Sequence, residues 1–520
     1  MGKGARIRRE HENESKAPKQ KQAESKIWKI LGRAGIIAIC LLVVVGAAWG
    51  VVYTTGVLQR SFTAVTVGDY KVSALEFNMY YNDILSNLMN TYAQYGMDAQ
   101  NLEIQMYDEE RTFADYIRES AVSQVTEVYV LYSEAQANGY DYENDVYAQA
   151  LYQSSMSQLQ ESAETYEMEP EALLKAIYGN QMKMSDFEAF LTRRTTAQGY
   201  AEQLESGLTV SDDEAENYYS ENKDEYDNVS YRYFTFPYET VTYTEPEDGE
   251  TPEEGAPTSE EEATAMTEEN RAAAEALANE MLERITDEQS FIDLALEYAD
   301  EEDKEEYSDD DATLVTNGSA TATSPLAQWY SDPARTEGET AVIDNNNNGY
   351  TVAYFISRER DESATVNIRH ILFGTEDAAS DATEEELAAV EEANAAQQEL
   401  AQQIYDEWLT GDQSEESFAA LAREYSDDGN APEGGIYENV YEGQMVSEFN
   451  DWIFDPSRRT GDSDIVETSY GYHIIYFIGE GLPRWRADVE TDLISEKYTA
   501  LYNDLVQKYT ITTSEFAMKL

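Results

Sequence analysis

Two stretches of this 520-residue chain can be laid over one another in the same order, so whatever unit the sequence builds, it builds twice. SYRYFTF at 230–236 corresponds to NIRHILF at 367–373, and SFIDLALEYADEED at 290–303 to SFAALAREYSDDGN at 417–430. WYSDPARTEGE at 329–339 corresponds to WIFDPSRRTGD at 452–462; GYTVAYF at 349–355 closes the first copy and GYHIIYF at 471–477 the second. Each copy reads as a strand, a long Ala/Glu/Gln-rich helix (267–286 or 384–409), a second helix opening on a Ser-Phe pair, an irregular stretch and a final hairpin. That pattern predicts an α+β unit of roughly 110 to 135 residues, within the usual size of a domain.

Upstream of the repeats, Ala34–Tyr53 reads AGIIAICLLVVVGAAWGVVY, a charge-free run of about 20 residues, long enough to cross a bilayer core as a helix. Residues 1–33 hold 10 Lys/Arg against 4 Asp/Glu in a chain whose formal charge is −69. The basic excess flanks only the N-terminal end of the run, so the positive-inside bias predicts a cytoplasmic N-terminus and an acidic bulk outside. Such an acidic bulk repels a phosphate backbone, which excludes nucleic acid as a partner. The single cysteine, Cys40, falls inside the apolar run, so no intramolecular disulfide and no thiol chemistry is expected in the soluble part.

Between the run and the first copy the periodicity turns helical from Ser73, with segments at 111–137, 143–164, 170–178, 184–206 and 211–226. Ser211 stands three residues before Glu214, the sequence form of a capping box. Residues 245–263, rich in Glu, Pro and Gly, are expected to be a disordered loop. Asp344–Gly349, DNNNNG, imitates a calcium loop, but its twelfth position is Phe355, so a hairpin turn is expected there instead. Past the second copy, 485–508 carries Val489, Leu493, Leu501 and Leu505 at helical spacing and is expected to pack back on the N-terminal region.

The chain has three histidines: His11 in the basic tail, and His370 and His473 at the first strand and last hairpin of the second copy, each alternating with apolar residues. Both are expected in one sheet, within reach of each other. RHILF, SFAALAREYSDDG, the Gly434–Gly435 turn, GQMVSEF at 443–449, Gly461 and TSYGYHII at 468–475 together resemble the parvulin family of prolyl isomerases over residues 367–478. The resemblance implies that His370 and His473 are the family's histidine pair and that Asp428 stands where members carry Cys or Asp. It further implies that Met445 and Phe449 hold the proline ring and that Thr468 is the hydroxyl beside the histidines.

In the first copy Tyr233, Thr351 and Glu301 replace His370, His473 and Asp428, and SATATSPLAQW replaces GQMVSEF. That copy is expected to keep the fold and lack the site. The wider plan is similar to SurA-like and PrsA-like extracytoplasmic foldases, with one departure, a transmembrane helix where PrsA-like proteins are typically lipoproteins. The expected organisation is a basic cytoplasmic tail (1–33), a transmembrane helix (34–53), a helical chaperone-like region (54–226), a degenerate parvulin-like domain (227–361), a parvulin domain (362–481) and a C-terminal helical segment (482–520).

The function implied is peptidyl-prolyl cis/trans isomerisation in unfolded or proline-containing polypeptide clients outside the membrane, with no metal or cofactor and the oligomeric state left open. The alternative is a holding chaperone that binds unfolded chains without catalysis. Phe449, as a pocket wall, is expected to be partly exposed when the pocket is empty.

Overall fold

The computed structural model describes residues 56–95, 101–244, 256–318, 323–345, 349–378 and 382–520. The apolar run Ala34–Tyr53 and the basic tail lie outside them, and among the described residues no helix is long and apolar enough to cross a membrane. Helices and sheets mix throughout, and the chain divides into two compact units, 1–206 with 499–520, and 207–498.

In the first unit a short helix α1 (Val57–Ser61) leads into the hairpin β1 (Thr63–Val67) and β2 (Tyr70–Ser73). The Ser73 hydroxyl then accepts the Glu76 N–H and starts α2 (Ala74–Gln94), as a polar cap at a helix entrance should. Four more helices follow: α3 (Phe113–Asn138), opened by a Thr112–Asp115 capping box, α4 (Val146–Thr165), α5 (Pro170–Tyr178) and α6 (Met184–Ser206). Their apolar faces close one core around Phe77, Tyr80, Val125, Tyr129, Leu174 and Phe190.

The second unit opens with α7 (Asp212–Tyr226), whose Ser211–Glu214 capping box is formed. This helix was expected with the N-terminal region. It lies in the second unit because Ala215, Tyr219 and Tyr226 bury their rings and methyl against Trp485 and Val489 of α14 (Arg484–Val506).

The first repeat is β3 (Asp227–Phe236), α8 (Glu260–Arg284), α9 (Glu288–Tyr298), β4 (Leu314–Gly318), α10 (Pro325–Tyr330), β5 (Thr340–Asp344) and β6 (Tyr350–Arg360). The second is β7 (Thr365–Gly374), α11 (Glu384–Thr410), α12 (Glu415–Tyr425), β8 (Ile436–Tyr441), α13 (Ser447–Ile453), β9 (Ser463–Thr468) and β10 (Gly471–Glu480). The two four-stranded sheets have the same order, β4-β3-β6-β5 and β8-β7-β10-β9, and every pairing is antiparallel. In both, the first and last strands of the repeat are central, so each is hydrogen-bonded to a neighbouring strand along both edges.

Two expectations are corrected. Helix α8 begins at Glu260, inside the segment read as disordered, because Ser259 caps it through the Glu262 N–H and three glutamates favour a helix N-terminus. The apolar content that marks a helix starts only with the buried Ala263. The C-terminal helix ends at Val506, and the chain then adds a strand, β11 (Ile511–Thr513), that pairs antiparallel with β1. Within the first unit Leu505, Tyr502 and Ala517 join the helical core. The DNNNNG stretch connects the antiparallel pair β5 and β6, with the Asn345 N–H bonded to the Gly349 carbonyl at 2.9 Å.

Candidate active site

His370 and His473 lie on the adjacent central strands β7 and β10, where His370 pairs with Ile475 and His473 with Leu372. This diagonal relation puts both imidazoles on one face, since side chains of a strand alternate between faces. Both are buried, and their Nδ1 atoms face each other at 3.2 Å with the rings 13° from parallel. Gly435 makes room for β7: the His370 N–H bonds its carbonyl at 2.8 Å, and a Cβ at Gly435, where φ is +68°, would lie 2.0 Å from the His370 carbonyl oxygen. A side chain there would push the strand out of register.

Asp428 comes from the loop after α12. That loop is stitched to β7 two residues past His370: the Leu372 N–H donates to the Ser426 hydroxyl at 3.0 Å, and the Asp427 N–H to the Leu372 carbonyl at 2.9 Å. The Asp428 carboxylate then presents Oδ2 to His370 Nε2 at 3.5 Å, while Oδ1 accepts the Asn430 N–H at 3.0 Å and the Tyr437 hydroxyl at 3.3 Å. The His370 imidazole beside it, with the Asn430 N–H, holds the Asp428 carboxyl down to about 2 against the opposing effect of burial. At 3.5 Å the Nε2–Oδ2 contact is longer than a formed hydrogen bond, leaving Nε2 a buried atom whose bond a small movement completes.

On the other side His473 Nε2 lies 2.9 Å from the Thr468 hydroxyl, which also accepts the Tyr470 N–H at 3.1 Å. Burial first, and the neighbouring His370 second, push His473 down to about 4, so it is neutral at physiological pH. A carboxylate facing Nε2 fixes a proton on that nitrogen of His370. Two proton settings satisfy the rest of the chain. Either Thr468 donates to His473 and His473 to His370, or His370 is charged and donates to His473, which donates to Thr468. The four groups therefore form one polarisable line from a carboxylate to a hydroxyl.

Phe449 of α13 stands nearly perpendicular to both rings, its centroid 5.6 Å from His370 and 5.2 Å from His473. Met445 is half-buried in the same apolar cluster, with Ile453, Ile475 and Val440. All six residues expected from the sequence are brought together. Phe449 departs from expectation in being only 3% exposed. Its ring is packed as core against the imidazoles and Ile475, so its loss would cost fold as well as grip. Tyr437 was not foreseen, since RHILF and GYHII draw attention to the central strands while Tyr437 sits on edge strand β8. The signal available was the alternation that follows the Gly434–Gly435 turn. Among the described residues no group of three or more His, Cys, Asp and Glu is arranged to hold a metal.

The same positions of the first repeat hold no such line. Tyr233 is 41% exposed, Thr351 is buried and bonded to the Thr235 hydroxyl at 2.9 Å, and the Glu301 side chain, 91% exposed, pairs with Lys304. On that face Tyr231 stacks on Tyr330 at 4.5 Å instead.

Residues 352–479 match the family described as PPIC-type PPIASE domain. A foldase protein PrsA of Geobacillus sp. (strain WCH70) is 48% identical over 62 residues, 12% of this chain and 22% of that protein. A chaperone SurA of Chromohalobacter salexigens is 36% identical over 132 residues, 25% of each chain. The crystal structure of PrsA from Bacillus subtilis is 25% identical over 28% of this chain and 48% of that one, with a TM-score of 0.19. The chain thus spans about a quarter of the length of these curated relatives.

Proposed function

Residues 352–479 being a parvulin-type peptidyl-prolyl isomerase domain, we propose that the chain is a membrane-anchored isomerase and foldase, acting on unfolded, proline-containing polypeptides outside the cell membrane. The observation that carries this reading is the Asp428–His370–His473–Thr468 line lying against Phe449 and Met445. Rotation about an X-Pro bond is opposed by about 18–20 kcal/mol of lost amide resonance. A site lowers that barrier by binding the twisted amide better than the planar one. Met445, half-buried beside the packed Phe449 ring, offers the proline ring an apolar seat, and the polar line offers the twisted amide a polarisable partner that planar amide does not need. No covalent step is required, and the position that carries Cys in some relatives of the fold is Asp428 here.

The test is acceleration of cis/trans isomerisation of a proline tetrapeptide by the full chain in detergent micelles. Catalysis that survives thiol-modifying reagents is expected; a rate equal to the uncatalysed one contradicts the reading. The anchored topology is supported by the apolar run and its basic flank. Protease added to right-side-out vesicles is expected to remove residues 60–520, and their full protection would contradict it.

A second reading, holding of unfolded chains, is favoured by exposed apolar side chains in the first unit: Tyr95, Ile104, Met106 and Tyr107. It predicts that a chain with a disabled isomerase site still suppresses aggregation of an unfolded client.

A further inference from the structure

We infer that Tyr437 is a positioning residue of this site, fixing the Asp428 carboxylate so that one of its oxygens is aimed at His370. The inference rests on the isomerase reading and names a part of the machinery that the six expected residues leave out. A carboxylate facing an imidazole can rotate about its own bond, and rotation would present either oxygen, or an edge, to Nε2. Here Oδ1 is held by two donors from different places, the Asn430 N–H at 3.0 Å and the Tyr437 hydroxyl at 3.3 Å, and Oδ2 is left to face His370. The Tyr437 ring also packs on the imidazole it helps to orient, centroid to centroid 5.2 Å. One side chain thus touches both members of the pair.

The duplication supplies an independent argument. In β8, Tyr437 stands opposite Ile368; in β4, Val315 stands opposite Tyr231, the residue matching Ile368. Tyr437 is therefore replaced by Val315 in the repeat that has lost His370, His473 and Asp428. Residues that serve the sheet alone recur in both repeats: Arg232 bonds Glu288 as Arg369 bonds Glu415. Tyr437 goes with the site and not with the sheet. A ring at this point is not needed to build the fold, since valine serves there.

The experiment compares the wild-type full chain in detergent with Tyr437→Phe, which keeps the ring and removes the hydroxyl, and Tyr437→Val, which copies the first repeat. Proline-tetrapeptide isomerisation gives kcat and KM, thermal unfolding gives stability, and nitrogen-15 spectra of the imidazoles report the His370 ring protons. The expected result for Tyr437→Phe is a fall in kcat of roughly tenfold at unchanged KM, with the His370 signal shifted and the unfolding midpoint nearly unmoved. Tyr437→Val is expected to fall further. Wild-type kcat and an unshifted His370 signal in Tyr437→Phe would overturn the inference, as would a rise in KM alone, which marks a pocket wall. If the wild-type chain has no isomerase activity, the functional reading fails while the His370 signal still decides whether Tyr437 positions the pair.

Discussion

The two repeats share a scaffold down to single side chains and differ where the chemistry would be. Besides the sheet order, each keeps a buried or half-buried arginine on its first strand, Arg232 with Glu288 at 2.7 Å and Arg369 with Glu415 at 3.0 Å. Each also keeps an arginine over a tryptophan, Arg335 4.6 Å from the Trp329 ring and Arg458 3.7 Å from that of Trp452. In each, the arginine Nε donates to the carbonyl of that same tryptophan, at 3.2 and 3.0 Å. Against this, His370, Asp428, His473, Tyr437 and Phe449 become Tyr233, Glu301, Thr351, Val315 and Leu326. The fold is thus held by sheet pairing and by these arginines, while the polar line is an addition that the sheet does not require. Where it is absent, a local bond between Thr235 and Thr351 satisfies the groups left in the centre of the sheet.

The largest expected difference is in the apolar wall. Phe449→Ala should destabilise the second repeat by about 3–5 kcal/mol, because loss of the buried ring leaves a cavity beside the two imidazoles. Leu326→Ala, at a half-buried position, should cost the first repeat only about 1–2 kcal/mol. Denaturant unfolding followed by hydrogen exchange in β10 and β6 measures both, and equal losses would break the contrast.

Acid should separate the repeats next. His473 titrates near 4 in the fold and near 6.5 when unfolded, so its neutral form is favoured by folding. Its contribution is complete above pH 6.5 and is lost as the pH falls toward 4, where the folded state also takes up the proton. The loss is on the order of 2–3 kcal/mol in the second repeat, with no counterpart at Thr351 in the first. Hydrogen exchange of β10 between pH 7 and 4 should show this slope, and His473→Thr should remove it. Asp428 works at a lower window with the same sign: its carboxylate favours the fold above about pH 4, and that favour is lost as pH falls through about 2.

Shared features should respond alike. Arg232→Met and Arg369→Met each remove a charged hydrogen bond to the second helix of the repeat, at Glu288 of α9 and Glu415 of α12, and each should cost about 2 kcal/mol in its own repeat. A much smaller effect in the first repeat would mean that its scaffold has also decayed. Smallest of all, Glu301→Ala should change neither the unfolding midpoint nor the isomerase rate, since the side chain is in solvent.

Much of this was legible in the sequence because the repeat gave every position a counterpart. The helix segment at 170–178 is observed with those bounds, and Ser211 caps its helix as its spacing to Glu214 foretold. The histidine pair was legible because alternation along RHILF and GYHII fixes a shared face. What escaped depends on tertiary contact. The three residues of β11 have no periodicity of their own and become a strand only by pairing with β1. Helix α8 starts among glutamates with no apolar spacing to mark it. Tyr437 is one tyrosine of 39, and its hydroxyl gains a role only once the loop carrying Asp428 is laid beside β8. The burial of Phe449 follows from the imidazoles it packs on, which sequence spacing does not reveal.

On the proposed reading the active site lies in the second repeat and the first has none. The most direct measurement is the isomerisation rate of a proline tetrapeptide with the full chain carrying His370→Gln and Asp428→Asn together, its folding verified by hydrogen exchange in β7 and β10. The expected result is a loss of at least roughly a hundredfold in kcat/KM, to a level that further substitutions in the first repeat, at Tyr233 or Thr351, leave unchanged. A folded double variant that retains the wild-type rate would contradict it and move the activity to the first repeat or elsewhere in the chain.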